Sequence, residues 1–117
     1  FYDTATGRVL LALRPSAAVQ ALVAAHGDPG EAWPEAAAAG GLSAVLERLR
    51  AAGHAELIKR ASHTHALAVP VRLPGKLVAA ALGLFYPTVR DHPGRAAALV
   101  ERLHQAAQDI VAEYERI

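Results

Sequence analysis

The chain has no cysteine and no methionine among its 117 residues. Without a thiol it can form no disulfide, use no thiolate nucleophile and offer no cysteine ligand to a metal. The net charge is also small, because 12 Lys and Arg are nearly balanced by 11 Asp and Glu, and the basic residues are spread along the chain. A protein that binds a phosphate backbone needs clustered positive charge. The composition therefore argues against DNA binding by this chain itself.

Long apolar runs are missing as well. No stretch approaches the roughly 18 apolar residues that a membrane-spanning helix needs, and no basic segment precedes an apolar one as in a secretion signal. We therefore expect a cytoplasmic protein that crosses no membrane. With 53% hydrophobic and 20% charged residues in 117, the sequence has the composition and length of one folded domain.

Helical spacing of apolar residues marks the first half of the chain. A first helix is predicted between the N-cap candidates at 3–6 and the helix-breaking Pro15. A second helix is predicted from Ser16, as its N-cap, to a glycine stop at 27, followed by a loop or weak helical turn over 28–41. A third runs over 42–53, where Glu47 and Arg50 can pair on the outer face.

In the second half of the chain, the apolar residues first lose the helical spacing of the first half. Residues 54–59, 67–73 and 77–86 have the composition of strands, and Pro74-Gly75 predicts the turn of an antiparallel hairpin between the last two. A long amphipathic helix from Ala96 to Ile117 closes the chain. Helices before and after a run of strands indicate an α+β fold rather than alternating βαβ units.

Catalytic signatures are absent from the sequence. None of the three serines lies in a G-x-S-x-G elbow. His63 and His65 stand two positions apart, so on a strand they would share a face and could begin a metal site with His54 or Glu56. Polar residues at a strand entrance explain the same pattern. We expect no catalytic residue, no metal and no cofactor.

Two further groups leave a structural and a functional interpretation open. The aromatic residues Trp33, Phe85 and Tyr86 are suited to core packing and to ligand contact alike. Lys59-Arg60 is typical of a solvated strand end, and it could also pair with the carboxylate of a ligand.

Three segments resemble a known family in their residues, order and spacing. They are Thr-Ala-Thr-Gly-Arg-Val-Leu-Leu-Ala at 4–12, Ala-Leu-Ala-Val-Pro-Val at 66–71 and Leu-Gly-Leu-Phe-Tyr-Pro-Thr-Val-Arg at 82–90. Together they resemble the effector-binding domain of the IclR family of bacterial transcription regulators, over nearly the whole chain. The resemblance implies a GAF-like α+β domain with an antiparallel sheet, packed helices and a long C-terminal amphipathic helix.

The same resemblance implies what lies around this domain. Residues 1–117 would form an effector-binding domain that is incomplete at its N-terminal side, with the first strands and a winged helix-turn-helix domain upstream. Operator DNA would be bound through that absent domain only. The parent protein would self-associate as a dimer or tetramer, and its partner would be a small organic acid effector.

The resemblance also implies a ligand site between the sheet and the start of the first helix. The predicted ligand-binding residues are Ala5, Thr6, Leu57, Ala66, Gly83 and Phe85. At the position of Leu57 the family often has an acidic residue, and at that of Ala66 a cysteine. At the positions of Gly83 and Phe85 it often has serines. An apolar or aromatic carboxylic acid therefore fits this wall better than a small polar 2-oxoacid.

Two other functions stay open at this point. One is an association module that binds no ligand because Phe85 and Tyr86 fill the pocket. The other is a metal-dependent enzyme built on His63 and His65.

Overall fold

The computed structural model describes residues 2–37, 41–73, 75 and 80–116. Its elements are, in chain order, α1 (Ala5–Ala12), α2 (Ser16–His26), α3 (Pro34–Ala37), α4 (Gly41–Ala52), β1 (Ala55–Lys59), β2 (Thr64–Val71), β3 (Ala80–Pro87) and α5 (Arg95–Glu115), with 3-10 turns at Gly30–Ala32 and Thr88–Arg90. Four helices thus precede the strands and one follows them. This order confirms the predicted α+β class.

The helix boundaries follow from local capping. Thr4 is the N-cap of α1, because its Oγ1 accepts a hydrogen bond from the Gly7 amide at 3.0 Å. Gly27 and Gly53, with φ of 82° and 78°, end α2 and α4 as predicted. The predicted N-cap of α2 was wrong: Pro15, in an extended conformation, takes that position, and Ser16 lies inside the first turn without a capping hydrogen bond.

The predicted pairing of Glu47 with Arg50 was also wrong. The Nε of Arg50 donates to the carbonyl oxygen of Ala12 at 2.6 Å, and an Nη atom donates to that of Arg14 at 3.5 Å. These carbonyls lie at the C-terminal end of α1, where an α-helix leaves its last acceptors without intrahelical donors. Because it satisfies them, Arg50 fastens α4 to the end of α1 instead of pairing on the outer face.

The three strands form an antiparallel sheet in the order β1-β2-β3. This confirms the predicted hairpin of the last two strands. Gly75 of its predicted turn has a φ of 68°, whereas Pro74 and residues 76–79, like Phe1 and Ile117, lie outside the described residues. β2 begins at Thr64, three residues earlier than predicted, because the chain reverses at His63 with a φ of 52°.

The sheet is packed on both faces. Residues of β2 alternate between the faces, so Ala68 packs with Ala5 and Val9 of α1, whereas Leu67 packs with Leu103 of α5. A third apolar cluster joins the helices α1 to α4. Its buried residues are Leu11, Ala12, Val19, Trp33, Ala36, Val45 and Leu46. The start of α1 is thereby held against one face of the sheet, and α5 covers the opposite face.

Candidate functional site

A cavity of about 320 Å³ lies between the start of α1 and the face of the sheet that α1 covers. Its lining residues are Thr4, Ala5, Thr6, Leu57, Lys59, Thr64, Ala66, Leu67, Gly83, Leu84 and Phe85. All six of the ligand-binding residues predicted from the sequence are among them. A larger groove of about 730 Å³ runs along the C-terminal half of α5, and none of the six lines it.

The strand register explains how distant residues reach one wall. Ala66 of β2 pairs with Leu57 of β1 on one side and with Phe85 of β3 on the other. Directly paired residues of neighbouring strands lie on the same face of a sheet. This row of three residues therefore lines one side of the cavity, with the half-buried Leu57 and Ala66 at its floor and the exposed Phe85 at its rim. Gly83 lies in the next row on the same face, beside Ala68.

Gly83 brings α1 close to the sheet. A Cβ atom at this position would lie 2.6 Å from Cγ2 of Thr6 and 3.1 Å from the carbonyl oxygen of Leu67. Because glycine has no such atom, the start of α1 rests directly on β3. Gly83 therefore sets the spacing of helix and sheet, a role that the sequence reasoning, which treated it as an apolar wall residue, did not give it.

The start of α1 supplies polar groups to the cavity. The Thr4 hydroxyl oxygen accepts from the Gly7 amide, and the Thr4 carbonyl accepts from the Arg8 amide at 3.0 Å. The first amides of a helix have no intrahelical acceptor, so those of Ala5 and Thr6 remain available at the edge of the cavity. Lys59 also lines the cavity, with its Nζ 4.0 Å from an exposed Asp3 carboxylate oxygen.

The two aromatic neighbours of β3 point to opposite faces. Phe85 is 79% exposed and stands at the rim of the cavity, whereas Tyr86 is buried on the α5 side with Leu103. The interpretation in which both side chains fill the pocket was therefore wrong. Successive residues of a strand alternate in direction, so two adjacent aromatics cannot fill one cavity.

His65 lies behind the cavity floor, on the α5 side of the sheet, and is only 2% exposed. Its Nε2 lies 2.6 Å from a carboxylate oxygen of Glu56, and its Nδ1 lies 3.1 Å from one of Asp91. The Tyr86 hydroxyl lies 2.9 Å from the same Nδ1 and donates to the other Asp91 oxygen at 3.2 Å. We call these four side chains the His65 network.

The possible metal site on His63 and His65 required both residues to lie on one strand, and they do not. His63 lies in the turn before β2 and is exposed, because its φ of 52° takes it out of the strand conformation. Both ring nitrogens of His65 face carboxylates. Across the part of the chain that the structure describes, no group of three or more His, Cys, Asp or Glu side chains is arranged to hold a metal ion.

The network shifts the pKa of two of its members. Burial alone would raise the pKa of the Asp91 carboxyl, yet hydrogen bonds from His65, Tyr86 and the His92 amide lower it below its usual value. Burial raises the pKa of the Tyr86 hydroxyl, and its hydrogen bond to Asp91 adds to this. Asp91 is thus held as a carboxylate and Tyr86 as a neutral donor.

Sequence reasoning missed Asp91 and the buried Arg8. Asp91 stands 26 positions from His65, with no spacing that links the two. Arg8 is 4% exposed, lies over the Trp33 ring at 4.4 Å and donates to the carbonyls of Tyr2 and Ala32 at 2.7 and 3.1 Å. Burial lowers the pKa of its guanidinium, and nearby Glu35 opposes this.

The fold is shared with solved regulators. A protein of Rhodococcus sp. RHA1 described as a transcriptional regulator has 27% identity and a TM-score of 0.78 over 97% of this chain and 46% of that one. The C-terminal domain of E. coli KdgR has 29% identity and a TM-score of 0.74 over 95% and 68%. A double mutant of the PobR inducer binding domain from Acinetobacter has 21% identity and a TM-score of 0.70 over 94% and 64%.

This chain thus spans less than half of the Rhodococcus protein. No curated protein matches it in sequence. Among the residues that the structure describes, no helix combines the length and the apolar character that a membrane span requires. The family described as "Bacterial transcriptional regulator IclR C-terminal" matches residues 1–112. The chain therefore belongs to the IclR C-terminal family, the effector-binding domains of bacterial transcriptional regulators, which are not enzymes.

Proposed function

We propose that this chain senses a small apolar or aromatic carboxylic acid, which it binds in the cavity between α1 and the sheet. One observation carries the proposal: six residues chosen from the sequence, on four different elements, line a single cavity. A cavity of about 320 Å³ lies at the small end of the usual range for ligand pockets. It has room for a single-ring acid.

The floor of the cavity favours an apolar ligand body. Leu57 and Ala66 are half-buried and carry no polar side-chain atom, and Phe85 adds an exposed ring at the rim. A ligand ring that covers these groups removes apolar surface from water, which contributes about 25 cal/mol for each Å² buried. A small polar 2-oxoacid would gain little here.

The start of α1 favours a negative charge. The available amides of Ala5 and Thr6 lie where the helix dipole is positive, and Lys59 adds a cation at the rim. Hydrogen bonds from these amides to a carboxylate contribute on the order of 1–3 kcal/mol. Lys59 is partly solvated beside Asp3, so we expect the lysine to contribute less than the amides.

A related protein suggests the first probe. The PobR inducer binding domain from Acinetobacter was solved, as a double mutant, in complex with 3-hydroxybenzoic acid. That compound is an aromatic carboxylic acid of the class that this cavity suits. It serves here as the starting member of a ligand panel, because the similarity to PobR extends to the fold and not to individual contacts.

The remaining proposals concern the whole regulator. We propose that it is cytoplasmic, that operator DNA is bound by a part of it outside these 117 residues, and that this chain self-associates as a dimer or tetramer. The near-balanced charge supports the second point. The third is supported by α2, whose outward face carries the exposed alanines 17, 21, 24 and 25. Sedimentation as a monomer at micromolar concentration would contradict self-association.

Isothermal titration calorimetry tests the ligand proposal. We expect 3-hydroxybenzoate and benzoate to bind, benzamide to bind more weakly because it lacks the charge, and pyruvate to show no heat of binding. Ala66→Leu should fill the floor and abolish binding. Its matched control is Ala98→Leu, the same change on the exposed face of α5, which should bind like wild type. Equal affinities in a folded Ala66→Leu variant would place any ligand elsewhere.

A substitution at Gly83 is a poorer test. A side chain at this position would clash with Thr6 at the start of α1. Loss of binding in Gly83→Leu could then result from displacement of α1 rather than from a filled cavity. Lys59→Ala completes the series. It should weaken binding less than Ala66→Leu does, since the lysine stands at the solvated rim.

A further inference from the structure

We propose that His65 carries a proton on both ring nitrogens and that this imidazolium is a positioning residue of the cavity, which it holds in shape from behind. The inference rests on the proposed function in one respect, because it takes the cavity to be the ligand site. His65 itself lies on the opposite face of the sheet from that cavity. Protonation of His65 would thus make the ligand site sensitive to pH.

Counting protons in the His65 network leads to this state. Two carboxylates face the ring, Glu56 at Nε2 and Asp91 at Nδ1. A carboxylate only accepts, so each contact needs a proton on the ring nitrogen. A neutral imidazole has one N–H and would turn a lone pair toward Glu56 at 2.6 Å or toward Asp91 at 3.1 Å. The imidazolium satisfies both contacts.

The Tyr86 hydroxyl fits the same count. It donates to Asp91 Oδ1 at 3.2 Å and can accept from the Nδ1–H of His65 at 2.9 Å. If Nδ1 carried no proton, the Tyr86 hydroxyl would have to donate its only proton to Nδ1, and its hydrogen bond to Asp91 would be lost. The Glu56 contact agrees as well, because an imidazole is a stronger base than a carboxylate and keeps a proton that the two share.

Other charged groups around the ring come from neighbouring elements. His54 precedes β1, and His92 follows Asp91; both line the opening beside the network. Arg95 of α5 lies with its guanidinium carbon 5.3 Å from the centre of the Tyr86 ring. This cation opposes the imidazolium, whereas Glu56 and Asp91 favour it at direct contact. The two carboxylates are nearer and hydrogen-bonded, so their influence exceeds that of Arg95.

The network lies directly behind the cavity floor. Glu56 precedes Leu57, His65 precedes Ala66, and Tyr86 follows Phe85, so each strand gives one residue to each face. The imidazolium thus fastens the two outer strands to β2 at the row that lines the cavity. Through Asp91 it also holds the segment that leads into α5. Loss of its proton removes one of these attachments, and the floor should relax.

Nuclear magnetic resonance of the ligand-free chain tests this. With ¹⁵N-labelled histidine, we expect both ring nitrogens of His65 to be protonated at neutral pH. The methyl signals of Ala5 and Thr6 on α1, which contributes no side chain to the network, report on the cavity. They should shift when the His65 ring loses a proton as the pH is raised, with the same midpoint as the ring signals.

Two variants separate positioning from mere packing. His65→Gln keeps hydrogen-bonding groups but does not titrate, so the α1 methyl signals should no longer shift with pH. His63→Asn is the matched control, since it removes an exposed histidine two residues away and asparagine tolerates the positive φ. It should preserve the wild-type titration.

Each other outcome has a defined meaning. A single ring proton on His65 at neutral pH overturns the proposal, and so do α1 methyl signals that stay constant while the ring titrates. If the methyl signals titrate as expected but 3-hydroxybenzoate and benzoate show no heat of binding, the proposed ligand is wrong and the positioning role of His65 stands.

Discussion

The Cγ2 atom of Thr6 lies only 2.6 Å from the place that a Cβ of Gly83 would occupy. The two residues belong to α1 and β3, and they are in contact where the helix begins. This close approach brings the first amides of α1 to the edge of the cavity. The absence of a Cβ atom at Gly83 therefore lets the start of α1 approach the sheet beside the candidate site.

Gly83→Ala should destabilise the domain by about 1–3 kcal/mol, because the added carbon must displace the start of α1. Denaturant unfolding measures the change. Thr6→Ser removes the opposing Cγ2, so the double variant should be less destabilised than the sum of the two single variants. Strict additivity would show that Thr6 and Gly83 are not in contact in solution.

The fold could be predicted largely because its signals are local. Gly27 and Gly53 end helices by their own positive φ, and the apolar period of α5 is visible within its own residues. Ser16 and Arg50 were misassigned for a different reason. Pro15, which precedes Ser16, takes the N-cap position of α2. Arg50 donates to carbonyls at the end of α1, which lie 36 to 38 positions away in the sequence.

Arg8→Met should destabilise the domain by about 2–4 kcal/mol. The substitution leaves the carbonyls of Tyr2 and Ala32 without their donor and removes the cation from the face of Trp33. Arg48→Met, the same change at an exposed position of α4, is the control and should stay within about 0.5 kcal/mol. Equal unfolding free energies for both variants would contradict the structural role of Arg8.

Arg50→Gln and Glu47→Gln distinguish the observed contact from the predicted ion pair. If Arg50 donates to the carbonyls at the end of α1, Arg50→Gln should lower the free energy of unfolding by about 1–2 kcal/mol. Glu47→Gln should then change it little. A surface ion pair between the two would instead make both variants weakly and similarly destabilised. Thermal unfolding of the two proteins side by side decides between these cases.

The candidate site was predictable only on one face of the sheet. Ala66 and Phe85 were found through sequence segments that resemble a family, and the register then placed them side by side. The His65 network behind them was found only in part. His65 and Glu56 were named together as candidate metal ligands, but Asp91 was missed because it contacts His65 across 26 positions. Such contacts depend on tertiary geometry and leave no local pattern.

Acid should weaken the domain through Asp91. The pKa of this carboxyl is lower in the folded chain than its ordinary value, so the folded state binds the proton less readily than the unfolded state does. The stability that Asp91 contributes is fully present above the unfolded pKa and is lost as the pH falls through the folded one. Urea unfolding between about pH 6 and pH 2 should show a smaller decline in Asp91→Asn than in wild type. Asp109→Asn, an exposed carboxylate of α5 remote from His65, should keep the wild-type decline, and an Asp91→Asn variant that follows it would refute the assignment.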